Sequence, residues 1–354
     1  MNYLRSFYSS PPSLSIKLDK NKHNYFQYIS KDNKIITYLT YFDSDKITGE
    51  VELNLNNNKS IIANSLSVSL IGIINNEKIN LSQIIFQDAI ELLNQEKPIE
   101  IINIITNFNF CFQPKNKPYE TYIGDSTQIR YYLIAVGNIV IDGDFSKIEK
   151  RVEICCLKPA KKKICDEMYL NKDNNKNINI NIGIEKVIHV NIKLLKRNYC
   201  MDDVIIGKIK IVKSELKLNG IFLEIKKEEK INLGNNNLVN TENMARYELV
   251  EGYPEEGDEI YFRYYLSGVK NLSPSYIHSN NNNNNDKDKA NILEVKYLLA
   301  FEFNDDKGYQ FFKNVEITIY RMNLNNTISN DEKEKGKENK DEKFISVKNK
   351  LKDK

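Results

Sequence analysis

Apolar and polar residues alternate along most of this chain, which is the period-2 pattern of half-buried β-strands. Uninterrupted alternation occurs in five segments: GEVELNLN (49–56), SLSVSLIG (65–72), NFNFCFQP (107–114), ININIG (178–183) and IHVNIKLL (188–195). Turn-forming residues separate such segments, and many short strands with turns between them are typical of sandwiches or barrels. The pattern therefore predicts an all-β fold.

One segment follows a different period. In LSQIIFQDAIELLNQ (81–95) the apolar residues Ile85, Ala89, Leu92 and Leu93 fall on one side of a helical projection. This spacing is typical of an amphipathic helix, so the segment is predicted to be the single α-helix of the fold.

A short strand-like sequence occurs three times with small variations, as IRYYL (129–133), FRYYL (262–266) and VKYLL (295–299). In two places an alternating strand is followed by a loop with proline and tyrosine and then by another strand. When Phe110 is aligned with Phe262, and Tyr131 with Tyr297, the two intervals are 21 and 35 residues. The excess is about the length of an asparagine-rich insertion in the second copy. The sequence therefore predicts two copies of one β-module.

Composition shifts predict where these modules end. We expect a first β-sandwich at 1–157, a polar linker at 158–176 and a second β-sandwich at 177–322. Residues 279–291 form the low-complexity, asparagine-rich insertion, which we expect in a loop of the second sandwich. The charged segment 323–354 has few large apolar residues and is predicted to be a disordered tail.

Charge and cysteine content exclude several classes of protein. The 51 Lys and Arg residues nearly balance the 48 Asp and Glu residues, and a net charge of +3 does not favour a nucleic-acid partner. Five cysteines without a Cys-x-x-Cys pair are untypical of a secreted disulfide scaffold. The N-terminus has no apolar signal core, and the chain has no 18-residue apolar run. We therefore expect a cytoplasmic protein.

The doubled pattern resembles the arrestin fold, in which two antiparallel β-sandwiches lie end to end and are joined by a short linker. Several collinear segments are similar to one family, the retromer arrestin-like subunit (the vacuolar protein sorting-associated protein 26 family). These are YFDSDKITGEVEL (41–53), KPYETYIGDSTQIRYYL (117–133), IGIEKVIHV (182–190), MDDVIIGKIKI (201–211), YELVEGYPEEGDEIYFRYYLSG (247–268) and FKNVEITIYR (312–321). The insertion, the basic Lys161–Lys163 run and Tyr320, where the family usually has tryptophan, mark a divergent member.

The resemblance implies a function without catalysis. It suggests an adaptor subunit of a retromer-type complex, which retrieves cargo from endosomes and docks an α-solenoid subunit through its second sandwich. Sorting nexins and the cytoplasmic tails of cargo are the other implied partners. Contact with the endosomal membrane, where the protein would be peripheral, is expected to be indirect. The alternative is a free-standing arrestin-like cargo adaptor, although the PPxY motifs usual in that class are absent from the C-terminal segment.

The resemblance also implies a site for the solenoid subunit. In the family, a loop of the second module carries two adjacent apolar residues, which correspond here to Leu249 and Val250 in YELVEG (247–252). Tyr247 and Glu251 flank this pair, and exposed apolar anchors of this kind fill grooves in a partner. The alternative interpretation from the residues themselves is the end of a strand with Leu249 in the core.

Candidates for catalysis or metal binding are few. The chain has only three histidines, none in a Ser-His-Asp or Cys-His setting, and it lacks a glycine-rich phosphate loop. His189 alternates with apolar neighbours, which favours a strand residue on an outer face over a metal ligand. Adjacent Cys155 and Cys156 on a strand point to opposite faces and cannot form a simple metal-binding pair. We expect no enzyme activity, no cofactor and no metal.

Three further features of the sequence are interpreted as structural and not as binding sites. The run Lys161–Lys163 favours a solvated linker over an anionic-lipid contact. The tyrosines of KPYETY (117–122) are expected to support one end of a sandwich, with their hydroxyls hydrogen bonded. The four acidic residues that follow the predicted anchors are expected to be solvated loop charges: Glu251, Glu255, Glu256 and Asp258.

Overall fold

The structure, a computed structural model, is almost entirely β. It describes residues 10–19, 24–29, 34–56, 58, 60–94, 98–160, 178–184, 187–233, 236–276 and 292–322. Residues Lys161–Lys163, the predicted insertion and the predicted tail lie outside the described residues, as does most of the predicted linker.

The first half of the chain forms eleven strands in two sheets. They are β1 (Ser13–Leu18), β2 (Asn24–Ile29), β3 (Ile35–Phe42), β4 (Ile47–Asn54), β5 (Ile61–Asn76), β6 (Leu81–Leu93), β7 (Ile99–Ile101), β8 (Ile105–Phe112), β9 (Tyr122–Ile123), β10 (Thr127–Ile141) and β11 (Asp144–Leu157). The smaller sheet has the order β1-β4-β8. The larger has the order β2-β3-β11-β10-β5-β6, with β7 paired to β5 and β9 to β10. We call these two sheets the first sandwich.

The second half forms nine strands, again in two sheets. They are β12 (Ile178–Ile184), β13 (Ile188–Leu194), β14 (Asn198–Cys200), β15 (Val204–Ser214), β16 (Leu218–Leu233), β17 (Asn236–Glu251), β18 (Glu259–Tyr265), β19 (Leu293–Asp305) and β20 (Gln310–Tyr320). A short 3-10 helix at Leu266–Gly268 follows β18. The sheet orders are β12-β13-β15-β18 and β14-β20-β19-β16-β17. These two sheets form the second sandwich, and the all-β prediction is confirmed.

The strand alternation decides which side chains form the core. In β4, Val51 and Leu53 are fully buried, whereas the alternate residues Glu50 and Glu52 are only half-buried. The same pattern runs through β13, where the apolar residues are buried and His189 is exposed. Each of the five alternating segments lies wholly or mostly in a strand, because a sheet with one face on a core accepts apolar residues only at every second position.

The two sandwiches repeat the same pairings. FNFCF lies in β8 and FRYY in β18, and each of these strands is the last member of a smaller sheet. IRYYL lies in β10 and VKYLL in β19, the two strands in the middle of the larger sheets. Each larger sheet also contains one parallel pair, β3 with β11 and β14 with β20. The boundaries proposed above for the two modules stay predictions.

The prediction of a helix at 81–95 is wrong, since residues 81–93 form strand β6 on the edge of the larger sheet of the first sandwich. Two β-bulges explain the misleading pattern. Gly72 pairs with Phe86 while Ile73 pairs with Ile84, so Ile85 is an extra residue, and Leu92 is the extra residue of the second bulge. Each bulge shifts the alternation of inward and outward side chains by one position. After two such shifts, the spacing of the apolar residues resembles that of a helix.

Candidate partner-binding site and the junction of the sandwiches

The four predicted partner-binding residues lie together at the C-terminal end of β17. This strand continues to Glu251, where Glu251 pairs with Gly220 and Val250 with Ile221 of β16. The prediction of a loop for these residues is therefore wrong, because backbone pairing with β16 holds them in the sheet. β17 has β16 as its partner and otherwise forms the edge of its sheet among the described strands.

A β-bulge shapes this end of the strand. Val250 pairs with Ile221 and Glu248 with Phe222, which leaves Leu249 as the extra residue. Bulges disrupt the ladder locally and redirect side chains. Leu249 and Val250 are consecutive, yet both are half-buried and pack partly against the core. The position of the pair at the end of a strand agrees with the alternative interpretation, but Leu249 is half-buried and does not lie in the core.

Tyr247 is more accessible than Leu249 and Val250, the two apolar residues of the site. Its side chain is 55% exposed, and its ring packs edge-on against Tyr264 of β18 with the centroids 5.6 Å apart. This contact joins the edges of the two sheets of the second sandwich. A tyrosine held by another ring loses little conformational freedom when a partner covers it, which is favourable for an anchor residue.

The segment after β17 is fixed rather than freely solvated. Gly252 (φ +109°) and Gly257 (φ +98°) adopt the left-handed conformations that favour glycine. The Gly257 amide donates to the Ile211 carbonyl at 2.8 Å, and the Asp258 carboxylate accepts from the Glu255 amide at 2.8 Å. Asp258 is exposed, as expected, and it also closes a turn.

The second sandwich contains a buried ion cluster that was not predicted from the sequence. The inward positions of β16 run Ile221, Leu223, Ile225, Lys227, Glu229 and Ile231, so a lysine and a glutamate interrupt an apolar series. Lys227 lies 3.1 Å from the Glu229 carboxylate and 2.7 Å from that of Glu242 on β17. Lys227 and Glu229 are each only 1% exposed. The interrupted alternation was the available signal for this cluster.

This cluster reaches the first sandwich through Tyr122. The Tyr122 hydroxyl donates to Glu229, and the Lys227 ammonium lies 5.6 Å from the centre of the Tyr122 ring. Burial and the Glu229 charge raise the pKa of Tyr122 well above its ordinary value, so the hydroxyl stays a donor. Burial lowers the pKa of Lys227, but Glu229 and Glu242 outweigh it and the pKa is raised overall. Lys227 is therefore charged.

A second ion pair joins the two sandwiches nearby. Arg321, just after β20, donates from Nε and one terminal nitrogen to the Glu120 carboxylate, with bonds of 3.0 and 2.8 Å. Tyr119 accepts at its hydroxyl from the Leu293 amide at 3.2 Å, and its ring packs edge-on against Tyr276. Within the first sandwich the Tyr131 hydroxyl donates to the Tyr119 carbonyl, so the loop KPYETY supports that sandwich as predicted. It also contributes Tyr119, Glu120 and Tyr122 to the junction.

The remaining candidates have structural surroundings. His189 is exposed on the outer face of β13. Cys155 and Cys156 are both buried in β11, and burial raises the pKa of the Cys155 thiol to about 12. Among the described residues, no group of three or more His, Cys, Asp or Glu side chains is placed to hold a metal ion. No helix within these residues is long and apolar enough to span a membrane.

Two antiparallel β-sandwiches with matching topology, joined through a buried polar junction, define an arrestin-like protein. The comparison with known families agrees with this class: residues 8–307 match vacuolar protein sorting-associated protein 26. The chain therefore belongs to this family, and it is a vacuolar protein sorting subunit of the retromer type, with a role in protein transport. The family is one of non-enzymatic sorting subunits.

Curated relatives cover nearly the whole chain. A vacuolar protein sorting-associated protein 26B of Arabidopsis thaliana is 30% identical over 324 residues, which are 91% of this chain and 98% of the relative. The vacuolar protein sorting-associated protein 26 of Plasmodium falciparum is 25% identical over 91% of this chain and 99% of its own length. The human protein 26B is 25% identical over 89% of this chain and 87% of its own.

Proposed function

We propose that the chain is the adaptor subunit of a retromer-type complex in endosomal cargo retrieval, and that it docks an α-solenoid subunit at the end of β17. The supporting observation is the bulged edge of the second sandwich. There Tyr247 is exposed, Leu249 and Val250 are half-exposed, and Glu251 supplies a charged rim. A few apolar anchors surrounded by polar residues are the usual composition of a binding hot spot.

The rest of the proposal follows the family resemblance. Sorting nexins and cargo tails bind nearby, and these partners bring the chain to the endosomal membrane. The functional units are a first sandwich within 1–157 and a second within 177–322, joined by the linker at 158–176. The alternative function, a free-standing cargo adaptor outside retromer, shares the fold but does not need the β17 site.

Affinity purification of the tagged full chain from its own cells tests the proposal. The variants are Tyr247→Ala and Leu249→Asp/Val250→Asn, beside Ile84→Asp as a matched control on the edge strand β6, where Ile84 is exposed. We expect the solenoid subunit to accompany wild type and the control but not the β17 variants. Truncation of such an anchor typically costs about 2 kcal/mol or more of binding free energy.

The other outcomes separate the parts of the proposal. If the solenoid subunit accompanies all variants, the role in the complex stands and the β17 site is wrong. If it accompanies none of the proteins, including wild type, the adaptor function outside retromer is favoured. Because Leu249 and Val250 pack partly against the core, thermal unfolding of each variant is measured, and Tyr247→Ala keeps the test valid if the double variant does not fold.

A further inference from the structure

The outer face of the smaller sheet of the second sandwich concentrates positive charge. Strand register places Lys193 of β13 opposite Lys208 of β15, and Lys208 opposite Tyr261 of β18. Ile206 is opposite Arg263, and Lys210 is opposite Glu259. Side chains directly opposite each other on paired strands share a face of the sheet. We call this surface the basic face; its members are Lys193, Lys208, Lys210, Tyr261, Arg263 and Tyr265.

The charges of the basic face are only partly neutralised, because its four cations share one carboxylate. This carboxylate belongs to Glu259, which lies 2.9 Å from Lys208 and 3.7 Å from Lys210. Within the part of the chain that the structure describes, neither Lys193 nor Arg263 forms a salt bridge. Like charges opposite each other across a strand pair, as Lys193 and Lys208 are, destabilise a sheet. An anionic partner that covers this face would relieve that repulsion.

Tyrosine and aliphatic side chains lie among these cations. Tyr261 is 71% exposed and Tyr265 is 60% exposed, on either side of Arg263 along β18. Leu195 and Ile206 add exposed aliphatic groups, and the Leu195 amide donates to the Ile206 carbonyl. Tyrosine is favoured at the boundary between lipid headgroups and acyl chains, since its ring is apolar and its hydroxyl polar.

We propose that the basic face binds directly to the surface of membranes that contain anionic phospholipids. Alternate residues of three adjacent strands form a broad sheet surface, which suits a lipid bilayer better than the groove that an acidic peptide needs. The cations then approach lipid phosphates and carboxylates, while Tyr261, Tyr265 and Ile206 enter the headgroup layer. This goes beyond the proposed function, in which partners alone bring the chain to the membrane.

The basic face and the Leu249–Val250 pair lie on different sheets of the second sandwich. The strands of the basic face belong to the sheet β12-β13-β15-β18, whereas Leu249 and Val250 lie on β17 of the opposite sheet. Vesicle binding can therefore be measured with the purified full chain alone. Failure to bind vesicles leaves the solenoid proposal untouched, and failure to bind the solenoid leaves the membrane proposal untouched.

Co-sedimentation with vesicles tests the proposal. Wild type is compared on phosphatidylcholine vesicles and on vesicles that also contain phosphatidylserine, and we expect binding only to the latter. Lys193→Glu/Arg263→Glu should weaken this binding by at least about tenfold, since each cation near an anionic surface contributes roughly a fivefold gain. The control, Lys147→Glu/Lys150→Glu, makes the same change of net charge at exposed residues of β11 and should bind like wild type.

A second variant tests the tyrosines, and soluble competitors test the identity of the ligand. Tyr261→Ser/Tyr265→Ser should bind at low salt but release at a lower salt concentration than wild type, because only the charge contribution is screened. The proposal is overturned if wild type ignores phosphatidylserine vesicles or if the Lys193→Glu/Arg263→Glu variant binds as the control does. It is also overturned if poly-glutamate peptide or soluble phosphoserine binds this face more tightly than vesicles do. Thermal unfolding of each variant confirms that it is folded.

Discussion

Gly207 of β15 lies directly opposite Phe262 of β18, and the Phe262 ring covers the position that a side chain at Gly207 would need. A Cβ atom there would be 2.5 Å from Phe262 Cζ and 2.7 Å from the Lys193 carbonyl oxygen. The same relationship recurs in the first sandwich, where Gly49 is opposite Phe110 and a Cβ atom would meet that ring and the Lys17 carbonyl. Both sandwiches therefore have the same close contact between the backbone of a glycine and the ring of the phenylalanine opposite it.

Replacement of this glycine should therefore destabilise the second sandwich. We expect Gly207→Ala to lower the free energy of unfolding by about 1–3 kcal/mol, because neither the Lys193 backbone nor the packed ring can move away without strain. The measurement is urea denaturation. Gly183→Ala is the control, since its Cβ would have 3.6 Å to the nearest atom, and it should change stability by less than about 0.5 kcal/mol. Equal losses in the two variants would contradict this account.

The buried cluster around Lys227 gives a second prediction. Lys227→Met leaves the Glu229 and Glu242 carboxylates without their cation, and removal of one partner of a buried ion pair costs about 3–5 kcal/mol. Thermal unfolding should show the loss. Lys230→Met, on the outer side of the same strand, is the control and should behave like wild type. Addition of Glu229→Gln to Lys227→Met should recover part of the loss; if it lowers stability further, the charge explanation fails.

The Arg321–Glu120 pair tests the junction between the sandwiches. Arg321→Lys keeps the charge but cannot supply two parallel N–H groups to one carboxylate. We expect a loss of about 1.5–3 kcal/mol, the range for hydrogen bonds to charged groups. Amide hydrogen exchange should also accelerate at Leu293, whose amide donates to Tyr119 at the same junction. Arg197→Lys, at an exposed position, should leave both measurements unchanged.

A fourth prediction concerns stability in alkaline solution. Burial raises the pKa of Cys155 from 9.0 to about 12, so the folded chain keeps this proton while the unfolded chain loses it. The stabilisation is complete below pH 9 and is lost as pH rises from about 9 towards 12, with a slope of at most about 1.4 kcal/mol per pH unit for one proton.

Urea midpoints measured across this pH range provide the test. Cys155→Ala should flatten the slope relative to wild type, because the titrating thiol is gone. Cys111→Ala removes an exposed thiol instead and should leave the slope as it is. If the two variants have the same slope, the alkaline loss does not arise at Cys155.

The candidate site was predictable only in part. A family resemblance pointed to YELVEG, and the partner-binding role of its residues stays a prediction. The alternation of the segment did not reveal their pairing with the preceding strand β16 or the bulge at Leu249, because both depend on the register between the two strands. The Lys227–Glu229–Tyr122 cluster was visible as an interrupted alternation in β16. Its connection to Tyr122 was not, since the hydroxyl and the carboxylate belong to residues 107 apart.

The sequence by itself determined the strands and their inward faces. A period of two with large apolar residues, as in Val51–Leu53 of β4 or Ile188–Leu194 of β13, leaves a half-buried strand as the conformation that hides those side chains. FNFCF is followed by IRYYL in the first half of the chain, and FRYYL is followed by VKYLL in the second half. This repeated order also determined that the same arrangement of strands occurs twice.

Tertiary structure decided the rest. Residues 81–93 have apolar residues at a helical spacing, but β5 offers an unpaired edge, and pairing with that edge outweighs the local pattern. The bulges at Ile85 and Leu92 then decide which side chains point inward. In the same way, Lys227 can be buried in its charged form only because three partners surround it. Glu229 lies on the same strand, Glu242 on β17 and Tyr122 on β9. Such convergence is a property of the assembled sheets, since no local segment contains all the partners.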